Sequence, residues 1–275
     1  MTSSIGQQAL TLLSYKYMPD NKDIINYSNL NRPTIFAHRG SSAYAPENTL
    51  AAFKLAVQQH ADGIELDVKL SADGQVVVMH DDTVDRTTNG TGRIMSMNLL
   101  ELKKLDAGSK FNPSFQSEKI PTLAEVFETV GQQLIINVEL TNYSSPIDDL
   151  PERVTSLVMH YGLESSVILS SFNLIALIRA HHLLPKIPLG LITFSGLADP
   201  TLRSKLVRLG PHLALHPHYL DVTPKLIEAA HRANCRIRAY PVNQPDTMQQ
   251  LFTAGVDGIF TYDPLLAKKV LAEIN

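Results

Sequence analysis

Three carboxylates lie in two apolar segments that have the composition of buried strands. Glu65 and Asp67 are two residues apart in GIELDV, and Glu139 lies near the end of LIINVEL. Residues two apart on a strand point to the same face, so Glu65 and Asp67 share one face. Three converging acids repel each other unless they are protonated or bind a cation, and an oxygen-only set suits Mg²⁺ or Ca²⁺. The alternative is that these acids pair with interior arginines such as Arg236 or Arg238.

Two histidines and an arginine are expected beside these acids. His38 ends the first strand candidate, Arg39 follows it, and His80 ends a later extended run. An arginine and a divalent cation neutralise a phosphate, while two imidazoles can take one proton from an attacking oxygen and give another to a leaving oxygen. The set therefore predicts cleavage of a phosphodiester. The sequence contains no P-loop, GxSxG elbow or HExxH motif that would indicate other chemistries.

The expected place of His80 depends on a hairpin. Asp73-Gly74 is a strong signal for a two-residue turn, so the run 75–80 is predicted to fold back antiparallel on the strand that carries Asp67. With Asp73 and Gly74 as the two turn residues, His80 lies directly opposite Asp67.

The scaffold must bring several strand ends together, and the pattern of the chain predicts such a scaffold. Strand candidates alternate with amphipathic helical segments, one of which opens on a Thr122/Glu125 capping box. The candidates are Thr34–Ala37, Gly63–Val68, Leu134–Leu140, Val167–Ser170, Pro188–Ile192, His212–His216, Arg236–Tyr240 and Gly258–Thr261. Eight strand and helix units favour a (β/α)8 TIM barrel over an open doubly wound sheet.

The barrel is predicted to be one domain with an insertion. It covers residues 33–275 and includes an inserted segment, 81–121, after the second strand, whose loop chemistry is typical of a lid or binding feature. Residues 1–32 form an N-terminal extension that either closes the N-terminal mouth of the barrel or is disordered.

The composition is that of a globular protein with a small partner. The chain has 275 residues, of which 44% are apolar and 19% are charged, and its formal charge of −3 excludes the large positive field that nucleic acids or anionic membranes require. No stretch approaches the roughly 18–20 apolar residues of a membrane span. The N-terminal segment lacks a basic leader, so we expect a cytoplasmic protein. The single cysteine, Cys235, is expected to be a buried thiol.

Several segments resemble the glycerophosphodiester phosphodiesterase family. The longest are AHRGSSAYAPENTLAAF and GIELDVKLSADGQVVVMHDDTVDRTTNGTG, and IPTLAEVF, NVEL, LSSFN, AYPVN and GVDGIFTYDP also match, so the resemblance covers about residues 33–273. It implies a β/α barrel that hydrolyses glycerophosphodiesters to sn-glycerol 3-phosphate and an alcohol with a bound divalent cation.

The resemblance also implies roles by position. His38 and His80 resemble the general acid/base pair, and Arg39 resembles the phosphate-binding arginine. The sequence leaves open which histidine is the base, and we assign His38 as base and His80 as donor. The metal ligands would be Glu65, Asp67 and Glu139. Glu47 is expected to orient Arg39 or the metal's surroundings. Its neighbour Asn48 is expected to cap the helix that begins at Thr49, and Asp82 and Arg86 are expected to support the hairpin and insertion.

The sequence departs from the family pattern at two positions. A lysine usually lies two residues after the third acid, whereas this chain has Thr141, so Arg238 or Lys69 is a candidate replacement for that phosphate cation. Tyr240 stands where the family usually has a tryptophan, and the chain has no tryptophan. An aromatic platform for the substrate is therefore retained, with a hydroxyl added.

Two alternative functions stay open at this point, and so does the identity of the alcohol group. A lysophospholipase D-like or phospholipase-like activity would need an exposed apolar insertion, although a small core under the loop is favoured. The candidate residues for such a surface are Ile94, Met95, Met97, Leu99 and Leu100. A non-catalytic phosphate-ligand binder is the other alternative. The alcohol group is expected to contact His216, His218 and Tyr219.

Overall fold

The computed structural model describes residues 26–27, 30–196 and 213–274, and eight of its strands form a closed parallel barrel. The strands are β1 (Thr34–His38), β2 (Gly63–Leu70), β3 (Val76–Val78), β4 (Ile135–Leu140), β5 (Val167–Ser171), β6 (Leu189–Thr193), β7 (Leu213–Pro217), β8 (Arg238–Ala239) and β9 (Gly258–Thr261). Their order is β7-β6-β5-β4-β2-β1-β9-β8, and parallel bridges between Leu215 and Ile237 and between His218 and Tyr240 close the ring. The predicted TIM barrel with an insertion after its second strand is confirmed.

Helices alternate with the barrel strands and begin where the sequence supplies caps. They are α1 (Leu50–Gln58), α2 (Leu99–Leu102), α3 (Leu123–Val130), α4 (Leu150–His160), α5 (Leu174–Leu183), α6 (Pro224–Arg232), α7 (Pro245–Ala254) and α8 (Pro264–Ile274). The predicted Thr122/Glu125 capping box opens α3, and Pro224, Pro245 and Pro264 lie in first turns. Because each helix returns the chain to the same end, all eight parallel strands finish on one rim.

Strand β3 forms the predicted antiparallel hairpin with β2, but its register differs from the prediction by one residue. Met79, not His80, lies opposite Asp67, because the backbone N–H of Met79 donates to the Asp67 carbonyl at 2.9 Å. The turn has three residues between Ser71 and Gln75 rather than two. The Ser71 hydroxyl accepts a hydrogen bond from the Gln75 backbone N–H at 2.9 Å, which stabilises the longer turn.

The inserted segment 81–121 packs its own small core under the loop. Buried residues from this segment and from β3 and its end form this core: Val77, Met79, Val84, Ile94, Leu102, Ala107 and Ile120. Met97 and Leu99 pack against it, and only Met95 and Leu100 of the predicted apolar group are exposed. The small core that the sequence favoured is therefore present, and these residues do not form one continuous apolar surface.

The opposite, N-terminal end of the barrel is filled by aromatic and aliphatic side chains. Tyr27 packs there with Phe36, Ile135, Ile168 and Phe260. Residues 1–25 and 28–29 lie outside the described residues, so the two alternatives for the extension 1–32 stay predictions. His212, the first residue of one strand candidate, also lies outside the described residues. Cys235 is buried, as expected.

None of the described helices combines the length and apolar character that crossing a membrane requires.

Candidate active site

The three predicted carboxylates meet at the C-terminal rim of the barrel. Asp67 pairs with Glu139 in the β2/β4 register, and His38 pairs with Glu65 in the β1/β2 register, so neighbouring strands place these side chains at one level. One carboxylate oxygen from each acid lies within 4.8 Å of the other two. The side chains of Glu65 and Asp67 are buried. Such a group needs positive charge or protons to be stable.

The electrostatics of the three acids fit a divalent cation. Burial, followed by the charges of Asp67 and Glu139, holds the pKa of Glu65 well above its usual value. Burial and Asp67 also raise the pKa of Glu139 to about 8, although the Tyr143 hydroxyl donates to its Oε1 at 2.6 Å. Oε1 of Glu65 is buried and has no hydrogen-bond partner among the described residues. The three acids offer hard oxygen donors, repel one another and leave one buried oxygen without a partner among the described residues. These are the properties expected of a Mg²⁺ or Ca²⁺ site before the ion binds.

Arg39 is held over the carboxylates by its backbone and by Glu47. Its backbone adopts a left-handed conformation (φ 59°), and its N–H donates to Glu65 Oε2 at 2.9 Å. The guanidinium donates to Glu47 Oε1 at 2.9 Å, and its Nε lies 3.5 Å from Asp67 Oδ2. Burial alone would lower the pKa of Arg39, but Asp67 and Glu47 outweigh it and raise that pKa. The guanidinium is therefore a fixed positive charge at the mouth.

Asn48 contacts this site instead of capping a helix, so its predicted role as N-cap is wrong. Its side-chain N–H donates to Asp67 Oδ2 at 2.9 Å. Thr49 is the N-cap of α1, since its hydroxyl accepts from the Ala52 N–H at 3.3 Å. An N-cap needs an extended backbone, whereas Asn48 is left-handed (φ 57°), a conformation that asparagine tolerates better than most residues.

His38 is a buried, neutral imidazole beside the acids. Its ring stacks on Tyr262 with centroids 5.1 Å apart, and its Nε2 lies 3.6 Å from Glu65 Oε2. Burial, followed by the charges of Arg39 and His80, holds the pKa of His38 well below its usual value. Its Nδ1 is buried without a partner among the described residues. A neutral imidazole in this position can accept a proton.

His80 lies at the mouth and is oriented by its neighbour Asp81. Its Nδ1 is 2.6 Å from Asp81 Oδ1, and its side chain is 42% exposed. Arg86 Nε donates to Asp81 Oδ2 at 2.7 Å, and the same guanidinium donates twice to Glu47, at 2.7 and 2.8 Å. A chain of ion pairs thus joins the loop of His80 to the loop of Arg39. Asp81 was not singled out in the sequence, although its position beside a candidate histidine was a usable signal.

The structure does not bring Arg238 to the carboxylates, so its predicted part in phosphate binding is wrong. Its fully buried guanidinium donates to the Tyr27 hydroxyl and lies 3.2 Å from His216 Nε2. Arg238 pairs with Gly258, whose partner on β1 is Thr34, at the N-terminal end of that strand. Arg238 is therefore one layer below the rim.

The other interior arginine lies beside Tyr27, and the first histidine that was predicted to contact the alcohol group, His216, lies inside the barrel. The guanidinium carbon of Arg236 lies 4.3 Å from the centroid of the Tyr27 ring. Neither interior arginine pairs with the three acids among the described residues. His216 is 1% exposed and lies where a Cβ on Gly190 would be 2.3 Å from its ring. It is part of the barrel interior and lines a small cavity together with His38 and Glu65.

Comparisons with known proteins agree with this geometry. The model of the Glycerophosphoryl diester phosphodiesterase family matches residues 38–266. The chain belongs to this family. The resemblance seen in the sequence is thereby confirmed, and the chain is a member of a family of phosphoric diester hydrolases.

Individual members of the family match most of the chain. A glycerophosphodiester phosphodiesterase of Caldanaerobacter subterraneus is 42% identical over 84% of this chain and 94% of its own length. One from Bacillus altitudinis is 37% identical over 88% of this chain and 99% of its own length. A solved structure of an Oleispira antarctica phosphodiesterase in complex with the product sn-glycerol-3-phosphate covers 90% of this chain and 98% of that one, with 34% identity and a TM-score of 0.83.

The first departure from the glycerophosphodiesterase family pattern, Thr141, is accompanied by a nearby lysine on β2. The Thr141 hydroxyl donates to the Val68 carbonyl at 2.8 Å. The ammonium of Lys69 donates to the Thr141 carbonyl at 3.1 Å and lies 3.0 Å from Asp82. Its charge also opposes the burial that raises the pKa of Glu139. Of the two candidate replacements, Lys69 is therefore the one at the rim.

Tyr240, the second departure from the glycerophosphodiesterase family pattern, lines a water-sized cavity of about 20 Å³ with His38, Glu65 and Glu139. Its hydroxyl donates to the Thr193 carbonyl at 3.0 Å. His218 and Tyr219 lie at the same rim, after β7, as expected. Phe172 and Phe194 follow the ends of β5 and β6 and were not singled out from the sequence. Phe172 contacts Tyr240, and Phe194 stacks on Phe172. Both residues lie one residue beyond a strand end, and Phe172 also lies in the family-like segment LSSFN, so these were the usable signals.

Proposed function

We propose that this protein hydrolyses glycerophosphodiesters to sn-glycerol 3-phosphate and an alcohol. The observation that carries the proposal is the meeting of three carboxylates, Arg39 and two histidines on one barrel rim. Curated relatives named for this activity and a related structure holding sn-glycerol-3-phosphate support it. A non-catalytic phosphate binder would not need a neutral buried imidazole and a second, carboxylate-oriented imidazole in the same site.

The proposed cofactor is one divalent cation, Mg²⁺ or Ca²⁺, held by Glu65, Asp67 and Glu139. When bound, the cation would neutralise charge on the phosphate and on the oxygens that gain charge in the transition state. Asn48 keeps Asp67 in place through its 2.9 Å hydrogen bond. The Tyr143 hydroxyl does the same for Glu139 at 2.6 Å.

The proposed proton transfers use the two histidines in turn. His38 accepts the proton of the neighbouring glycerol hydroxyl as its oxygen bonds to phosphorus, and His80 donates a proton to the alcohol oxygen as the old ester bond breaks. A cyclic phosphate results, and water then opens it, with the two histidines exchanging roles. Asp81 holds the proton on Nδ1 of His80, which leaves Nε2 to face the substrate. Arg39, fixed by Glu47, would bind the non-bridging phosphate oxygens.

Lys69 is the proposed second phosphate cation, and its removal gives a testable result. Lys69→Met should lower kcat/KM about 10–100-fold, mostly through KM, because it removes one charge-assisted hydrogen bond to the phosphate. The matched control is Lys103→Met, since Lys103 also donates to a backbone carbonyl, that of Ile120, and pairs with a carboxylate, but lies in the insertion. Equal kinetics for the Lys69 variant and wild type would contradict this role.

The proposed activity is tested by the release of glycerol 3-phosphate from a panel of glycerophosphodiesters. We expect release with Mg²⁺ or Ca²⁺ and none with a chelator, and activity unchanged by the chelator would overturn the metal assignment. A lysolipid in the same panel tests the lysophospholipase D-like alternative. No release from any diester with either cation would overturn the proposed function. The cytoplasmic location stays a prediction from the sequence.

A further inference from the structure

The two halves of the barrel mouth differ in chemistry. The loops after β1 and β3 carry the ion pairs of Arg39, Glu47, Asp81 and Arg86. The loops after β4 to β8 carry aromatic side chains that contact one another in a continuous series. We name this series the aromatic arc; its members are Tyr143, Phe172, Phe194, His218 and Tyr240. A phosphodiester held between the two halves has one substituent on the aromatic side.

The rings of the aromatic arc stand at steep angles to one another. Tyr143 and Phe172 are inclined at 78°, Phe172 and Tyr240 at 82°, and Tyr240 and His218 at 86°, with centroids 5.7, 6.1 and 5.8 Å apart. Phe194 stacks on Phe172 at 4.2 Å and is 60% exposed, so one of its faces is open to a ligand. Nearly perpendicular rings can form the walls around a compact, rounded group, whereas an extended acyl chain needs a long groove.

Two tyrosines of the aromatic arc are held in place before any substrate binds. The Tyr240 hydroxyl donates to the Thr193 carbonyl at 3.0 Å, and the Tyr143 hydroxyl donates to Glu139 at 2.6 Å. The Tyr143 bond also positions this ring relative to the carboxylates, because Glu139 is one of the three acids. The ordering cost for these two rings on binding is therefore small.

A carboxylate gives this side of the mouth a negative charge. Both oxygens of Asp221 accept from the Gly196 N–H, at 2.9 and 2.8 Å, and Gly196 is two residues from Phe194. After burial and Glu139, the charge of Asp221 is a further cause that raises the pKa of the Tyr240 hydroxyl. Within the described ranges, no lysine, arginine or histidine forms an ion pair with Asp221. Aromatic faces beside a carboxylate without an ion-pair partner among the described residues favour a cation over an uncharged group.

We propose that the aromatic arc binds the alcohol half of the substrate and selects a quaternary ammonium group over an uncharged group of the same shape. The inference rests on the proposed diesterase function, since it concerns the leaving alcohol of that reaction. A weakly hydrated trimethylammonium group loses little solvation on entering such a site and gains attraction to the ring faces. An acyl chain would gain nothing from Asp221.

The test compares the binding of two phosphate monoesters of equal shape. Dissociation constants of phosphocholine and of 3,3-dimethylbutyl phosphate, its uncharged analogue, are measured by titration calorimetry on the full chain with Mg²⁺. We expect phosphocholine to bind about 3–30-fold more tightly. Phe194→Leu, which keeps apolar volume but removes the ring, should reduce this ratio towards one. Phe111→Leu is the matched control, because Phe111 is an exposed aromatic residue of the insertion, and it should keep the wild-type ratio.

The outcomes separate the inference from the proposed function. Equal dissociation constants, no phosphocholine binding, or a ratio that Phe194→Leu does not change would overturn the selectivity. Tighter binding of the dimethylbutyl ester would also overturn it and would indicate an apolar, lipid-binding arc. Loss of diester hydrolysis with the phosphocholine preference intact would overturn the diesterase function alone. Hydrolysis of diesters together with equal dissociation constants would overturn the inference alone.

Discussion

Replacement of His38 by alanine is expected to lower kcat for glycerophosphodiester hydrolysis by about 10²–10⁴-fold, which is the usual contribution of a general acid or base. The reason is that His38 is the buried imidazole next to the acids, and its low pKa keeps it neutral and able to accept a proton. KM should change little, because Arg39 and the carboxylates remain. Steady-state kinetics in the presence of Mg²⁺ or Ca²⁺ measure both constants.

The roles of His38 as base and His80 as proton donor can be distinguished by the choice of leaving group. With a diester whose leaving group is a nitrophenol, loss of the proton donor matters less, since the phenolate leaves without help. His80→Ala should therefore recover much of its activity on that substrate, whereas His38→Ala should not. His160→Ala is the control, because His160 is exposed at the end of α4 and lies far along the chain from both His38 and His80. Recovery of the His38 variant instead would reverse the two roles.

The convergence of the acids could be predicted because it follows from the period of a strand. Residues two apart share a face, and in a parallel barrel every strand ends at the same rim, so Glu65, Asp67 and Glu139 had to meet once the barrel was recognised. The same reasoning failed for Arg238. It shares a face with Tyr240 but lies two residues, about 6–7 Å, deeper in the barrel. Sharing a face therefore does not fix the depth of a side chain in the barrel.

Other parts of the site depend on contacts that sequence spacing does not encode. The hairpin register was set by a side chain, since Ser71 stabilises a three-residue turn where Asp-Gly alone predicts two. The aromatic arc joins residues such as Phe172 and Phe194 from loops on different strands, and each residue taken alone is unremarkable in the sequence. Asn48 had a plausible local role as an N-cap, and only the position of Asp67 in space shows its actual partner.

Glu139→Gln is expected to abolish most activity and, with a chelator present, to change the pH dependence of stability. In the metal-free wild type the pKa of Glu139 is raised from 4.5 to about 8. Between these values the folded protein holds a proton that the unfolded chain has released, so the free energy of unfolding decreases as the pH rises. Thermal unfolding with a chelator should therefore give a lower Tm at pH 8 than at pH 5, and the variant should lose this part of the difference.

Adding the cation should offset the loss of Tm at pH 8 in the wild type and have much less effect on Glu139→Gln. With millimolar Mg²⁺ or Ca²⁺ the Tm of the wild type at pH 8 should rise, because the ion binds the folded state and relieves the repulsion among the three acids, whereas Glu139→Gln should respond weakly. Glu128→Gln is the matched control, since Glu128 also accepts from a tyrosine hydroxyl, that of Tyr161 at 2.7 Å, but lies on α3 away from the rim. A Tm at pH 8 that neither cation raises in the wild type would contradict the carboxylate site, because three acids whose oxygens lie within 4.8 Å of one another should gain stability from any ion they bind.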